Sequence, residues 1–279
     1  MSAAHDHYYL PNPSPWPLIA STGLFTLALG TALTINDLGA GPWLLLVGAV
    51  IVAYMMTRWF GQVIAESEGA AYNEQVDTSF RMGMAWFIFS EVMFFAAFFG
   101  ALFFERHFSI HWIAEDHLLW PGFRAVWPTS GPKGAAFTPM NPWGIPAINT
   151  LILLTSGATV TWAHWGLLKN NRAQLIVGLI LTILLGISFL TLQAHEYYLA
   201  YTHFGLTLKA GVYGATFFML TGFHGLHVTI GTIMLIVMLI RSIKGHFRPD
   251  HHFAFEAVSW YWHFVDVVWL ALFILVYWL

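Results

Sequence analysis

The residues of this chain that could do chemistry sit in unusually apolar surroundings. Glu91 lies within Phe89-Ser90-Glu91-Val92-Met93-Phe94-Phe95. An ionisable group placed there costs free energy and needs an explanation. Burial disfavours the charged form, so a neutral carboxyl is expected. Two roles fit it: a proton relay or polar site facing lipid or gas, or a neutral acid bonded to a neighbouring helix. His224 and His227 stand three residues apart and share a helix face, where they could hold one metal. No acidic or cysteine partner lies at matching spacing on that stretch. The neighbouring Gly222 and Gly225 instead favour close helix packing, with the histidines bonding across it. No metal ligand is therefore assigned.

Further along, Glu256 precedes Trp260-Tyr261-Trp262-His263-Phe264-Val265-Asp266. His263 and Asp266 share a face. A lone histidine can ligate haem, and Asp–His pairs occur in proton relays. Structural pairing of His224, Glu256, His263 and Asp266, with one another or with nearby helices, is the expectation. His164, His195 and Glu196 fall near the ends of apolar runs and read as solvated polar ends. Arg241 and Lys244 share a face at headgroup depth, where lipid phosphates favour cations; simple anchoring on the positive side explains them equally well. His5 and His7, near the N-terminus, could exchange protons near neutral pH or belong to a plain flexible tail.

The elements that must position these residues follow from composition. Of 279 residues, 58% are hydrophobic and 9% are charged. A soluble domain carries about 25% charged residues, so this chain cannot cover a water-facing surface. The net charge of −3 gives no reason to expect nucleic acid. There are no cysteines. Their absence excludes disulfides, thiolate-bound metal centres, covalently attached haem and cysteine nucleophiles. Crossing the hydrocarbon takes about 20 mostly apolar residues per helix. The fold class is all-α and polytopic, with seven spans expected at 16–35, 43–64, 82–104, 145–168, 174–194, 210–240 and 257–279.

Seven spans put the termini on opposite sides. With the N-terminus inside, the inner connections hold Arg58, Arg81, Lys169, Arg172, Arg241, Lys244 and Arg248, and the outer ones Arg106, Arg124, Lys133 and Lys209. The positive-inside bias makes the N-terminus cytoplasmic and the C-terminus periplasmic. Residues 1–15 form an arm, 16–65 a two-helix bundle, 66–80 a polar connecting loop, and 81–279 a five-helix bundle. The last contains a long external loop at 105–144, rich in Pro, Gly and Trp.

Several stretches resemble one family. They are Phe87-Ile88-Phe89-Ser90-Glu91-Val92-Met93-Phe94-Phe95, Asn149 to Leu154 with Thr161-Trp162-Ala163-His164, Thr221-Gly222-Phe223-His224-Gly225-Leu226-His227-Val228, and Trp260 to Trp269. Together with Pro15-Trp16-Pro17 and Trp127-Pro128, they resemble subunit III of the cytochrome c oxidases. The resemblance implies a two-helix plus five-helix subunit with a lipid-filled cleft, attached to the catalytic subunit I and in one complex with subunit II. It implies no cofactor in this chain, structural phospholipids, and haem and copper in the partners. The complex would oxidise cytochrome c, reduce oxygen and pump protons, and this subunit would support proton uptake and sustained turnover.

Carried over by the resemblance, Glu91 is the intramembrane carboxyl. Trp59, Glu66, His227, Arg241, Lys244 and His246 are lipid-contacting positions, where cations would make charge-assisted bonds to headgroups. His5 and His7 match proton-uptake support loosely. Ala65 departs from the family pattern, where a basic residue is frequent. The inner membrane of a bacterium is the expected location. A quinol oxidase subunit III is the nearest alternative. A stand-alone transporter is a further one, though no internal repeat is visible.

Overall fold

The computed structural model describes residues 9–11, 13–69 and 71–278. Its helices are α1 (Trp16–Ile35), α2 (Gly41–Glu68), α3 (Glu74–Phe104), α4 (Ile110–Glu115), α5 (Ile145–Leu168), α6 (Arg172–Thr202), α7 (Gly211–Lys244) and α8 (Phe253–Leu272). Wider turns at Glu105–Ser109 and Phe273–Trp278 join α3 to α4 and extend α8. Among the described residues, seven helical segments are long and apolar enough to cross a membrane. A helix satisfies its own backbone groups, which hydrocarbon demands. Thr and Ser hydroxyls inside the spans are likewise satisfied locally, as Thr26 bonds to the Thr22 carbonyl and Thr232 to that of Val228.

The ends obey ordinary helix chemistry. Proline occupies the first turn of α1, α2 and α5, where a missing N–H is harmless. Asn171 accepts from Gln174 N and caps α6. Gly245, at φ 79°, closes α7 in the left-handed region.

Two of the expected loops are partly helical. The polar stretch 66–80 is mostly helical, because α2 runs to Glu68 and α3 starts at Glu74. Asn73 accepts from Val76 N, and Glu74 and Asp77 lie in the first turn of α3. Their acidity complements the helix N-terminus and lengthens the helix beyond the hydrocarbon. Likewise, the external loop expected at 105–144 is helical through Glu115. Hydropathy finds only the hydrocarbon-length core of a helix.

The chain divides into two compact units, Met1–Phe80 and Arg81–Leu279, with the division inside α3. In the first, α1 and α2 pack through small residues. A Cβ added at Gly30 would stand 2.6 Å from Leu45 N, and one at Gly48 would stand 2.7 Å from Leu27 N. Backbones this close are how helices associate in lipid, where apolar surface gains nothing by leaving it.

The second unit is stitched by hydrogen bonds between neighbouring helices. Thr159 of α5 meets Thr182 of α6 at 2.8 Å, and Tyr197 of α6 meets Thr221 of α7 at 2.6 Å. On α8, Trp262 and Trp269 donate to Ser156 and Thr150 of α5, both at 2.9 Å. Trp262 is wholly buried. The segment 116–144 folds back onto this unit, with Phe137 stacked on Tyr213 at 5.2 Å and Thr138 N donating to the Phe204 carbonyl.

Candidate functional site

Near the middle of α3 and α7, Glu91 Oε2 and His227 Nε2 stand 3.0 Å apart. His227 Nδ1 stands 2.6 Å from the Phe223 carbonyl, which can only accept. Nδ1 therefore carries a proton. Nε2 then either accepts from a neutral Glu91 carboxyl or, as part of an imidazolium, donates to the carboxylate. Both arrangements hold one proton between the two residues with no net charge on the pair. The rings of Phe94, Phe95, Tyr261 and Phe264 surround His227 at 5.1–6.3 Å. Their apolar faces lower the local polarity, which strengthens the bond. The contact bonds Glu91 of α3 to His227 of α7.

His227 was expected among the lipid-contacting positions. The structure turns both its ring nitrogens to protein instead. Nor do His224 and His227 converge on one ion. His224 is 1% exposed and its Nε2 donates to the Val265 carbonyl at 3.2 Å. It packs between Phe189 and Trp269.

The pairing expected on α8 is present. His263 Nδ1 and Asp266 Oδ2 lie 3.7 Å apart, and Thr161 Oγ1 lies 3.3 Å from His263 Nε2. Glu256 is held by Arg81 and faces His252. His195 is exposed, as expected of a solvated end, but Glu196 is wholly buried. α6 runs on to Thr202, and Tyr277, returning from beyond α8, donates to Glu196 Oε2 at 3.2 Å. His164 is half-buried against Phe255 and His252.

The remaining candidates lie toward helix ends. In the first unit, Glu66 accepts from Gln62 Nε2 and from the Tyr72 hydroxyl, both at 2.8 Å. Gln62 in turn accepts from Trp16 Nε1. Tyr72 lies outside the spans, and burial followed by the bond to Glu66 pushes its phenol above the usual range. Tyr9 is pushed up by the same causes. Trp59 is 45% exposed. In the second unit, Arg241 is buried, its guanidinium 4.7 Å from the Phe247 ring, while Lys244 is exposed. Arg172 donates to the Ser242 and Ile243 carbonyls at the end of α7. His246 is half-buried beside them. His5 and His7 lie outside the described residues.

Comparison with known proteins agrees with this architecture. The sequence model of the family described as cytochrome c oxidase subunit III matches residues 5–279. Cytochrome c oxidase subunit 3 of Marchantia polymorpha is 44% identical over 280 residues, covering 100% of this chain and 98% of its own. The proteins of that name from Oryctolagus cuniculus and Arabidopsis thaliana are 43% and 42% identical, each covering 97% of this chain and 96% of its own. The chain therefore belongs to the cytochrome c oxidase subunit III family.

Proposed function

We propose that this multi-pass membrane protein works as the redox-inactive third subunit of a proton-pumping cytochrome c oxidase. It docks on subunit I, shares the complex with subunit II, and leaves haem, copper and oxygen reduction to those partners. The full-length family match carries this reading. The inward pairing of Glu91 with His227, and of His224 with the Val265 carbonyl, supports it. Those groups are spent on holding helices together and are not arranged around a haem.

The supporting role is to keep the complex turning over. Arg241 and Lys244 end α7 with two positive charges. Lipid phosphates at that depth favour such charges, so structural phospholipid belongs there, with His246, Trp59 and Glu66 as further contacts. Glu66 would receive a headgroup donor only by exchanging a present partner. The distribution of Lys and Arg supports a cytoplasmic N-terminus and a periplasmic C-terminus in a bacterial inner membrane. His5 and His7 would then lie on the side from which protons are taken up.

The test replaces Arg241 and Lys244 with alanine together in the assembled complex. Less phospholipid should co-purify, and the complex should inactivate sooner during turnover while its initial rate is kept. Unchanged lipid content with an unchanged lifetime would remove the proposed role.

A further inference from the structure

Within the five-helix unit, the last turn of α5 meets the first turn of α8. His164, His252 and Glu256 turn toward one another there. One ring nitrogen of each histidine and a carboxylate oxygen of Glu256 all lie within 4.8 Å of each other. The cluster is shielded: the His252 side chain is 9% exposed and that of Glu256 16%. Neither ring nitrogen of His252 has a hydrogen-bond partner, and nor does Nε2 of His164. His252 Nε2 approaches Glu256 Oε1 at 3.2 Å without hydrogen-bond alignment. Buried imidazole nitrogens are ordinarily satisfied. Unsatisfied nitrogens on two rings that face one carboxylate oxygen call for an occupant.

The chemistry of the donors selects it. Two imidazoles and one carboxylate make the nitrogen-rich set that suits zinc, whereas magnesium and calcium prefer oxygen throughout. The surroundings are also arranged as around a metal. Arg81 donates to Glu256 Oε2 and leaves Oε1 toward the histidines. Ligating carboxylates are commonly steadied by such an outer bond. Arg81 is itself steadied by lying over the Phe253 ring at 5.4 Å. Its positive charge tempers the affinity without occupying the ligand atom.

We propose that His164, His252 and Glu256 form a binding site for a divalent cation of the zinc class, with a water completing the coordination. Ligand atoms around tetrahedral zinc stand about 3.4 Å apart, so closure takes inward movements on the order of 1 Å, within reach of ring rotation. A bound ion ties α5 to α8 and, through Arg81, to α3. Zinc has no redox chemistry, so the site is compatible with a subunit that carries no electrons.

The test uses the full-length chain in detergent, stripped with a chelator and titrated with zinc chloride against a chromophoric competitor. The wild-type chain should bind one zinc equivalent more than His164→Gln or His252→Gln, each checked for unchanged helicity and melting without metal. A zinc absorption-edge spectrum of the wild-type chain loaded with one equivalent gives a reading independent of the variants. Scattering from two imidazoles is expected. Equal zinc stoichiometry in properly folded variants, no tight zinc in the wild type, or a spectrum with oxygen donors alone would each overturn the site.

Discussion

The two units hold their helices by different means. In the most apolar stretch of α1, and again in that of α2, 11% of residues are buried within the chain; in α8 the figure is 61%. The first unit is joined by backbone proximity at Gly30 and Gly48. The second is joined by buried aromatic rings whose polar edges reach neighbouring helices. Apolar character is needed everywhere to enter the bilayer, but it drives neither association. The first unit should therefore be sensitive to added bulk and the second to lost packing.

Five substitutions break or sharpen this contrast. Trp262→Ala should have the largest effect. It empties a wholly buried site and leaves Ser156 without its donor, a loss of about 3–5 kcal/mol. Unfolding of the purified chain in graded denaturing detergent measures it, and the loss should be felt in the five-helix unit. Gly30→Leu should follow, at about 1–3 kcal/mol, because the added side chain meets the backbone of Leu45 and has no space to enter. Protease nicking of the connection between α1 and α2 should rise, while the second unit melts unchanged.

Glu91→Gln should matter far less, at under about 1 kcal/mol, because the amide can still hydrogen-bond to His227 Nε2. The complex should assemble normally and keep its haem content. Glu91→Leu, which leaves His227 Nε2 without a partner, should cost more, about 1–3 kcal/mol. Equal destabilisation by the two would show that the bond contributes nothing.

A similarly small effect belongs to Tyr72→Phe, about 0.5–1.5 kcal/mol, from one lost bond to Glu66. Its pH dependence has a definite sign. The phenol is held above its ordinary value in the folded chain. Its contribution is complete below about pH 10, the unfolded value, and is lost as pH rises through the higher folded one. The gap in stability between wild type and variant should therefore close only at strongly alkaline pH.

Sequence and structure agree where a single periodic signal governs and part where distant residues meet. The seven spans are legible because hydrocarbon demands long apolar helices. The pairing of His263 with Asp266 is legible because both lie on one helix face. Helix ends are less so: Asn73, Glu74 and Asp77 read as a polar loop, yet they are the cap and first turn of α3. Glu196 reads as solvated because its partner Tyr277 lies 81 positions away. The meeting of His164 with His252 and Glu256 is invisible for the same reason. Partners brought together by packing of separate helices leave no periodic trace in either one.

The central claim is that this chain assembles with an oxidase and itself holds no electron-transferring centre. Purification in mild detergent through a tag on this chain, followed by release of its partners, tests that directly. Haem and copper should co-purify with the tagged chain and leave with the partners, so that the stripped chain shows no haem absorption. Haem remaining on the stripped chain, or no haem and copper at any stage, would contradict the account.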